Sequence, residues 1–507
     1  MSRFLRWAPL IAALLGAGVQ AGPTVETTQA AFAGVSETAA GGVSVMRFSG
    51  IRFAEPPTGD RRWRAPRPSV AKGAVDATEW PAACMQDERT VDWYAGVAAS
   101  FGQGREVVVE RPPVSEDCLF LNVWTPNAAR SLPVMVWIHG GGNINGWSYE
   151  PNYLGRELAA QGVVAVSIQY RLGVFGFLAH PSLSQEQTPQ SSGHYGILDQ
   201  IEALRWIRRE IGAFGGDPDS ITLFGESAGA GDINYLLLSP LAKGLFQRAI
   251  SQSGGWPADQ RRTLAEAETD GERFLSAADI SGIEGLREVP ADDLLALAAD
   301  HYQRGYDDPS VDGWLLPAPS AELLRTKAFA PVPVMFGTNG DEDRTLIRAD
   351  QATAVDWRRA LTRVRDGEGV ERRLAGHPLA ERMAALYAAA QFHCPSIHFA
   401  DAFAAAGAPT YVYRFERVRE GDHGLGAYHG AEIPYVFATH DPWLRTNADD
   451  QTLTRRMMAY WLNFARHGDP NGGGALPWPR WQPGGEAMIL DRALSAGPLD
   501  LALCPLL

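Results

Sequence analysis

A serine lies at the centre of a Gly-x-Ser-x-Gly motif, Gly225-Glu226-Ser227-Ala228-Gly229. The four residues before it, Ile221 to Phe224, are apolar and β-prone, which predicts a buried strand. The apolar segment 230–238 after it predicts a helix packed on a sheet. A sharp turn between strand and helix presents the serine hydroxyl, and the glycines remove side chains that would collide there. The pattern therefore predicts Ser227 as the nucleophile of an acyl-transfer reaction.

A second predicted strand, Pro133 to Ile138, ends in His139-Gly140-Gly141-Gly142. Successive glycines let backbone N–H groups point at one place, as stabilising charge on a carbonyl oxygen requires. In hydrolases with the Gly-x-Ser-x-Gly turn, the N–H of the residue after the serine, here Ala228, is a further donor. We therefore expect an oxyanion hole at this turn.

An acid and a base are expected to follow the serine in the order acid, then histidine. Acidic residues follow a predicted strand at 332–336, and two histidines share a glycine-rich loop after a predicted strand at 410–415. The candidates are Asp341, Glu342, Asp343, His423 and His429. The pattern alone does not choose within either set.

The elements that carry these residues alternate between strand and helix. Further strands are predicted at 162–170 and 246–251, and apolar residues at helical spacing between 198 and 211 predict a helix that leads to the serine motif. Alternation of this kind favours an α/β fold with a mostly parallel sheet covered by helices on both faces. Residues 22–507 are expected to form a single domain, with an edge hairpin or loose start at 22–45 and a long loop at 85–115.

The amino terminus resembles a signal peptide. Arg3 and Arg6 precede an apolar stretch, Trp7 to Val19, which is followed by the small-residue cleavage pattern Val19-Gln20-Ala21. We expect residues 1–21 to be removed and the protein to be exported, to the periplasm or the medium.

The chain of 507 residues carries a net charge of −14, which disfavours nucleic acid and anionic membranes as partners. No later apolar run is long enough to cross a bilayer. No metal-spaced His/Cys cluster or phosphate-binding loop is present in the sequence, so no cofactor is expected, and the expected partner is a small-molecule ester.

Four cysteines in an exported chain predict two disulfides, for which three pairings are open. The sequential pairing, Cys84 with Cys118 and Cys394 with Cys504, is favoured because its first bridge closes a charged segment with few core residues.

The motifs together resemble the type-B carboxylesterases, the cholinesterase-like branch of the α/β-hydrolase fold. Phe214 to Gly229 resembles the serine-site signature of this family, and Glu116 to Pro126 its second signature. Shorter matches follow in order over essentially the whole mature chain: Gly50 to Pro57, His139 to Gly142, Asp217-Pro218, Gly337 to Glu342, His429 to Pro434 and Trp461 to Asn471.

The resemblance implies a residue for each role in a two-step hydrolysis of small to medium carboxylic esters. The implied triad is Ser227, Glu342 and His429, and the implied oxyanion donors are Gly141, Gly142 and Ala228. Ser253 is implied to hydrogen-bond the acid, and Glu226 is a family feature beside the nucleophile. Both sequential cysteine pairs are implied as disulfides.

The sequence departs from the family pattern at three positions. Asn143 replaces a common aromatic residue, and we expect it to place a polar group near the acyl or alcohol pocket. His194 replaces a usual asparagine. Asp343 replaces a usual glycine and is expected to face solvent; the alternative is that its charge disturbs Glu342. The predicted pocket lining is the loop 85–115, Trp147, Trp256 and the segment 306–314.

Two alternatives remain open at this point. One is a non-catalytic, esterase-like binding or adhesion protein, although such proteins usually lack a triad residue. The other is a hydrolase of amides, lactones, carbamates or lipids.

Overall fold

The computed structural model describes residues 22–127, 129–302, 307–345, 347 and 352–507. The predicted signal peptide and Tyr306 lie outside the described residues. Among the described residues, no helix combines the length and the apolar character needed to cross a membrane.

The strands of the described chain, β1 to β16, are Thr24–Glu26, Ala31–Ala33, Val35–Thr38, Ser44–Arg52, Ala74–Asp76, Ala83–Cys84, Val114–Ser115, Phe120–Pro126, Leu132–Ile138, Val164–Ile168, Gly216–Glu226, Arg248–Gln252, Val334–Asn339, Thr410–Phe415, Glu486–Leu490 and Ser495–Pro498. The α-helices of the described chain, α1 to α16, are Arg89–Ser100, Arg156–Ala160, Gly173–Phe177, Pro181–Gln185, Tyr195–Glu210, Ala228–Leu238, Leu264–Ala277, Gly282–Glu288, Ala291–His301, Ser320–Thr326, Ala354–Leu361, Gly367–Leu374, Leu379–Ala388, Cys394–Ala405, Ile433–Phe437 and Ala448–His467.

One mixed sheet organises the described residues, with eleven strands in the order β16-β15-β14-β13-β12-β11-β9-β10-β8-β4-β3. The strands from β15 to β10 in this order are parallel, and the strands at both edges are antiparallel. Parallel strands end at one edge of the sheet, and ligand sites of open α/β sheets form at that edge. The residues that follow β9, β11, β12, β13 and β14 there include Gly140–Gly142, Ser227, Ser253, Glu342 and His429.

The sheet separates two apolar cores, as the alternation of side chains along β9 shows. Val134, Val136 and Ile138 belong to one core, which also contains residues of α5, α6 and α14. Met135 and Trp137 belong to the other, which contains residues of α15 and α16. Successive side chains of a strand point to opposite faces, so a continuous apolar run such as β9 is buried on both sides. The predicted sheet with helices on both faces is confirmed.

The segment 85–115 is not the long loop that the sequence predicted. Residues 89–100 form α1, whose buried side chains Val91, Tyr94, Val97 and Ala98 recur at the spacing of one helix face. The start of the chain agrees better with expectation, since β1 and β2 form an antiparallel hairpin and β3 pairs at the edge of the large sheet.

The predicted cysteine pairs lie together. The sulfur atoms are 2.04 Å apart in the pair Cys84–Cys118 and 1.99 Å apart in the pair Cys394–Cys504. The first bridge encloses α1 in a covalent loop. The second joins the start of α14 to the carboxyl-terminal segment.

Candidate active site

Ser227 lies at a strained turn between β11 and α6. Its backbone angles, φ 54° and ψ −127°, fall in a region that non-glycine residues rarely adopt. Such conformations cost on the order of 1–3 kcal/mol and persist where surrounding structure enforces them. A Cβ atom at Gly229 would lie 2.0 Å from the carbonyl oxygen of Ile138, and one at Gly225 would lie 2.7 Å from it. Any side chain at Gly225 or Gly229 would collide with β9, so both positions require glycine.

Glu342 and His429 form a hydrogen-bonded pair, with 2.6 Å between Oε2 of the carboxylate and Nδ1 of the imidazole. The other carboxylate oxygen, Oε1, accepts hydrogen bonds from Ser253 Oγ at 2.7 Å and from the Asn339 N–H at 2.7 Å. Glu342 is fully buried. Both oxygens thus have fixed partners, which sets the orientation of the imidazole ring.

The other sequence candidates have different surroundings. Asp341 accepts a hydrogen bond from the Ala427 N–H at 2.9 Å. Asp343 is only 2% exposed, so the expectation that it faces solvent is wrong. His423 is exposed, and its backbone N–H donates a hydrogen bond to the carbonyl oxygen of Ser100 at 3.0 Å. Among the five candidates, the structure joins Glu342 and His429.

Glu226 approaches the imidazole from the opposite side. Its Oε1 lies 3.2 Å from His429 Nε2, so the ring lies between two carboxylates. Burial disfavours the ionised form of Glu226 and raises its pKa, and the positive charge of protonated His429 opposes that rise. For His429, burial acts to lower the pKa, but the charges of Glu226 and Glu342 outweigh it and raise the pKa above the ordinary value.

Ser227 and His429 line the same cavity. Within the described chain, Ser227 Oγ is not hydrogen-bonded to His429, whose Nε2 faces Glu226 instead. Catalytic hydrogen bonds are often long or poorly aligned in a free enzyme and shorten when substrate binds.

The glycine segment lies against the serine turn. A Cβ atom at Gly140 would lie 2.8 Å from the carbonyl oxygen of Glu226 and 2.9 Å from Ser227 Cβ. Gly141 and Gly142 have φ angles of 102° and 66°, which glycine adopts without strain. Within the described chain, the N–H groups of Gly141 and Gly142 donate to no other backbone group. Both residues line the cavity beside Ser227.

The cavity has a volume of about 340 Å³. Helix α1 supplies one wall with Arg89, Thr90, Trp93 and Tyr94, and the segment after the glycines supplies another with residues from 144 to 153. Sequence reasoning placed the region 85–115 at the pocket but missed Trp93, Tyr94 and Glu150 individually. The helical spacing of Val91, Tyr94 and Val97 was the available signal.

Two predicted lining residues lie elsewhere. Trp147 is 1% exposed and packs in a small core with Ala83 and Val91. Asn143 is also 1% exposed, and its amide bonds Asp232 and the carbonyl of Asp307 rather than entering the pocket. The expectation that Asn143 provides a polar group at the pocket is therefore wrong.

His194, the third departure, lies in a buried polar cluster. Its Nε2 is 3.2 Å from Asp312 Oδ2, and the same oxygen accepts a hydrogen bond from Ser191 Oγ at 2.7 Å. Backbone N–H groups of Trp314, Leu315 and Leu316 also donate to Asp312. This cluster joins the segment before α5 to the segment 307–316.

A mixed sheet with a serine at the β11–α6 turn and a buried Glu–His pair at the same edge defines an enzyme of the α/β-hydrolase class. The model of the carboxylesterase family matches residues 21–492. The chain belongs to this carboxylesterase family, and it is a serine carboxylic-ester hydrolase.

Named relatives agree with this assignment. Fumonisin B1 esterase of Sphingopyxis macrogoltabida is 36% identical over 89% of this chain and 84% of its own length. Para-nitrobenzyl esterase of Bacillus subtilis is 34% identical over 89% of this chain and 92% of its own length. A solved structure of a PNB esterase superposes with a TM-score of 0.80 at 32% identity, covering 94% of this chain and 97% of that chain. The predicted family, fold and reaction class are confirmed.

Proposed function

We propose that Ser227, His429 and Glu342 act as nucleophile, general base and acid in the hydrolysis of small to medium carboxylic esters. The observation that carries the proposal is the 2.6 Å bond between Glu342 and His429, on a cavity that Ser227 also lines. A buried carboxylate in this position selects the imidazole tautomer with its proton on Nδ1 and stabilises the protonated ring.

In the first step, Ser227 Oγ bonds to the ester carbonyl carbon while its proton moves to His429 Nε2. The N–H groups of Gly141, Gly142 and Ala228 are proposed to donate to the resulting oxyanion. The carbon–oxygen bond to the alcohol then breaks, and the leaving alkoxide takes the proton from Nε2. In the second step, a water gives a proton to Nε2 while its oxygen bonds to the acyl carbon. The bond between that carbon and Ser227 Oγ then breaks, Oγ takes the proton back from Nε2, and the carboxylic acid leaves.

The size of the cavity supports small to medium substrates. Its volume of about 340 Å³ lies near the lower end of ordinary small-molecule sites. Trp93, Tyr94 and Tyr153 supply apolar ring surface, and Glu150 and Asn152 supply polar atoms. An ester with a compact apolar acyl or alcohol group and one polar substituent matches this lining.

The alternatives are separated by activity. A non-catalytic binding role receives no support from relatives that are named as esterases. A panel of nitrophenyl esters of increasing acyl length, matched amides and emulsified glycerides shows whether the enzyme prefers simple esters, amides or lipids. Turnover confined to emulsified long-chain glycerides would contradict the proposed substrate range.

The proposed export rests on the signal-peptide pattern and is consistent with the two cysteine pairs, since disulfides persist in oxidising compartments. Expression of the full chain with fractionation, followed by amino-terminal sequencing, tests cleavage after Ala21.

The central test replaces the nucleophile. Ser227→Ala is expected to abolish ester hydrolysis and labelling by a fluorophosphonate probe while the protein remains folded. Ser36→Ala, at an exposed serine of β3, is the matched control and retains both. Undiminished hydrolysis by Ser227→Ala would overturn the proposed function.

A further inference from the structure

Asn143 directly follows the glycine segment and points away from the substrate cavity. Its side-chain Nδ2 donates two hydrogen bonds, to Asp232 Oδ1 at 2.9 Å and to the carbonyl oxygen of Asp307 at 2.8 Å. Its backbone φ is +60°, a conformation that asparagine tolerates better than most residues. Both hydrogens of the amide nitrogen are therefore used on acceptors from other parts of the chain.

Asp232 belongs to α6, the helix that begins directly after Ser227. It is fully buried, and its second oxygen, Oδ2, accepts a hydrogen bond from Gln200 Nε2 on α5. The carboxylate thus joins Asn143 to two helices. Burying a carboxylate is costly unless hydrogen bonds compensate it, so these donors are required at this position.

The backbone on either side of Asn143 is fixed as well. The carbonyl of Gly142 accepts a hydrogen bond from the Asp307 N–H at 3.0 Å, and the carbonyl of Asn143 accepts one from the Gly173 N–H at 2.7 Å. Together with the side-chain bonds, these contacts connect residues 142 and 143 to three separate segments, which contain Gly173, Asp232 and Asp307.

The proposed oxyanion donors lie on two separate pieces of chain. Gly141 and Gly142 are on the segment after β9, and Ala228 is the first residue of α6. Donors must lie within a few tenths of an ångström of the position that the oxyanion occupies in order to stabilise it. The bond between Asn143 and Asp232 joins these two pieces directly.

We propose that Asn143 and Asp232 form a positioning pair that holds the glycine donors in register with Ser227 and Ala228. This role rests on the proposed function, because it presupposes that these N–H groups bind the oxyanion. Neither residue lines the cavity that Ser227 and His429 share. An aromatic residue or an aspartate at 143 would leave Asp232 and the Asp307 carbonyl without this donor.

The test exchanges the two side chains. Asn143→Asp is expected to lower kcat by about 100-fold, because a displacement near 1 Å costs that much, while KM changes little. The affinity for an aliphatic trifluoromethyl ketone, whose adduct with serine carries the oxyanion, is expected to fall by a similar factor. The double variant Asn143→Asp with Asp232→Asn restores an amide–carboxylate bond between the two residues but not the bond to the Asp307 carbonyl, so kcat is expected to recover in part, to within about 10-fold of the parent enzyme.

Two results would overturn the proposal: a parent-like kcat in Asn143→Asp, or a folded double variant that is no more active than the single variant. Asn127→Asp, at an exposed asparagine, controls for the added charge. If Asn143→Asp does not fold, Asn143→Gly carries the test, since it removes Nδ2 without adding charge and adopts the φ of +60° without strain, and an unchanged kcat would contradict the role. Failure of the proposed function shows separately, as ester hydrolysis that persists in Ser227→Ala.

Discussion

Glu226 Oε1 lies 3.2 Å from His429 Nε2, on the side of the imidazole opposite Glu342. The proposed base thus contacts a carboxylate through each ring nitrogen. Glu342 is fully buried and holds three hydrogen bonds, whereas Oε1 of Glu226 has no hydrogen bond among the described residues beyond this ion contact. The two carboxylates therefore differ in role: Glu342 orients the ring, and Glu226 adjusts its proton affinity.

Glu226→Gln is expected to extend ester hydrolysis to lower pH. The imidazole must be neutral to accept the serine proton, so activity falls as pH drops below the pKa of His429. The ionised Glu226 carboxylate stabilises the protonated ring and so raises that pKa, and its removal lowers it. The acid limb of the kcat/KM profile should shift down by roughly one unit, as expected for the loss of an adjacent opposite charge. An upward shift, or none, would contradict this role.

His429→Ala is expected to lower kcat far more than His423→Ala. His429 bonds Glu342, whereas His423 is exposed and, among the described residues, hydrogen-bonds through its backbone N–H to Ser100 alone. Loss of a triad base lowers kcat by about 10⁴-fold or more, while a surface substitution has little effect. Steady-state kinetics on one nitrophenyl ester compares the two, and equal losses would refute the choice of base.

Ser253→Ala removes the hydroxyl that donates to Glu342 Oε1. The Asn339 N–H still donates to the same oxygen, so Glu342 keeps part of its support and the His429 ring is held less rigidly. We expect kcat to fall by about 10-fold, in line with the loss of one hydrogen bond to a charged group, with little change in KM. Ser36→Ala, at an exposed serine of β3, serves as the control. A higher KM with unchanged kcat would place Ser253 at the substrate instead.

Asp343→Asn is expected to stabilise the protein at alkaline pH. Burial, with help from Glu342, raises the pKa of Asp343 to about 7, whereas an aspartate in the unfolded chain ionises near 4. Between these values the unfolded chain loses a proton that the folded protein retains, so the free energy of unfolding decreases as pH rises. The neutral variant escapes this loss.

The gain should be absent near pH 4, grow up to pH 7 and then stay at about 1–3 kcal/mol. Urea unfolding at several pH values measures it, with the exposed Asp60→Asn as control. A gain that is largest in acid would contradict the assigned protonation state.

Trp93→Ala is expected to change the preference among ester substrates more than the rate of the chemical step. Trp93 lines the cavity and packs edge-on against Tyr94, with ring centroids 5.0 Å apart. Its loss removes apolar contact surface, so KM for esters with bulky alcohol groups should rise by about 10-fold. Methyl and ethyl esters should be affected less. A uniform fall in kcat across the ester series would show that Trp93 supports the reacting groups instead.

Much of the site could be predicted from sequence because its parts are local. Gly225 and Gly229 mark a turn that only glycine permits at these contacts, and the order of serine, acid and histidine follows from where each strand ends. The choice of Glu342 over its neighbours depends on the family resemblance, since Asp341 and Asp343 occupy the same loop and the sequence does not show where each side chain points.

Other features depended on contacts between distant segments. The region 85–115 is polar and interrupted by glycine, so the single apolar face of α1 was outweighed by composition. The direction of the Asn143 side chain depends on Asp232 and on the Asp307 carbonyl, and no local pattern links these positions. Asp343 is buried although its charge favours exposure, which reflects tertiary packing near the Glu342–His429 pair.

Helix α1 lies between two cysteines that are 34 residues apart and bonded to each other, and the strands that carry the reacting groups lie outside that ring. One wall of the pocket therefore lies on a piece of chain separate from the strands that carry the reacting groups. Substitutions within the ring can reshape the pocket wall without changing the sheet register that aligns serine, acid and histidine. This modularity makes the segment between Cys84 and Cys118 the natural place to diversify when redirecting the esterase to new substrates.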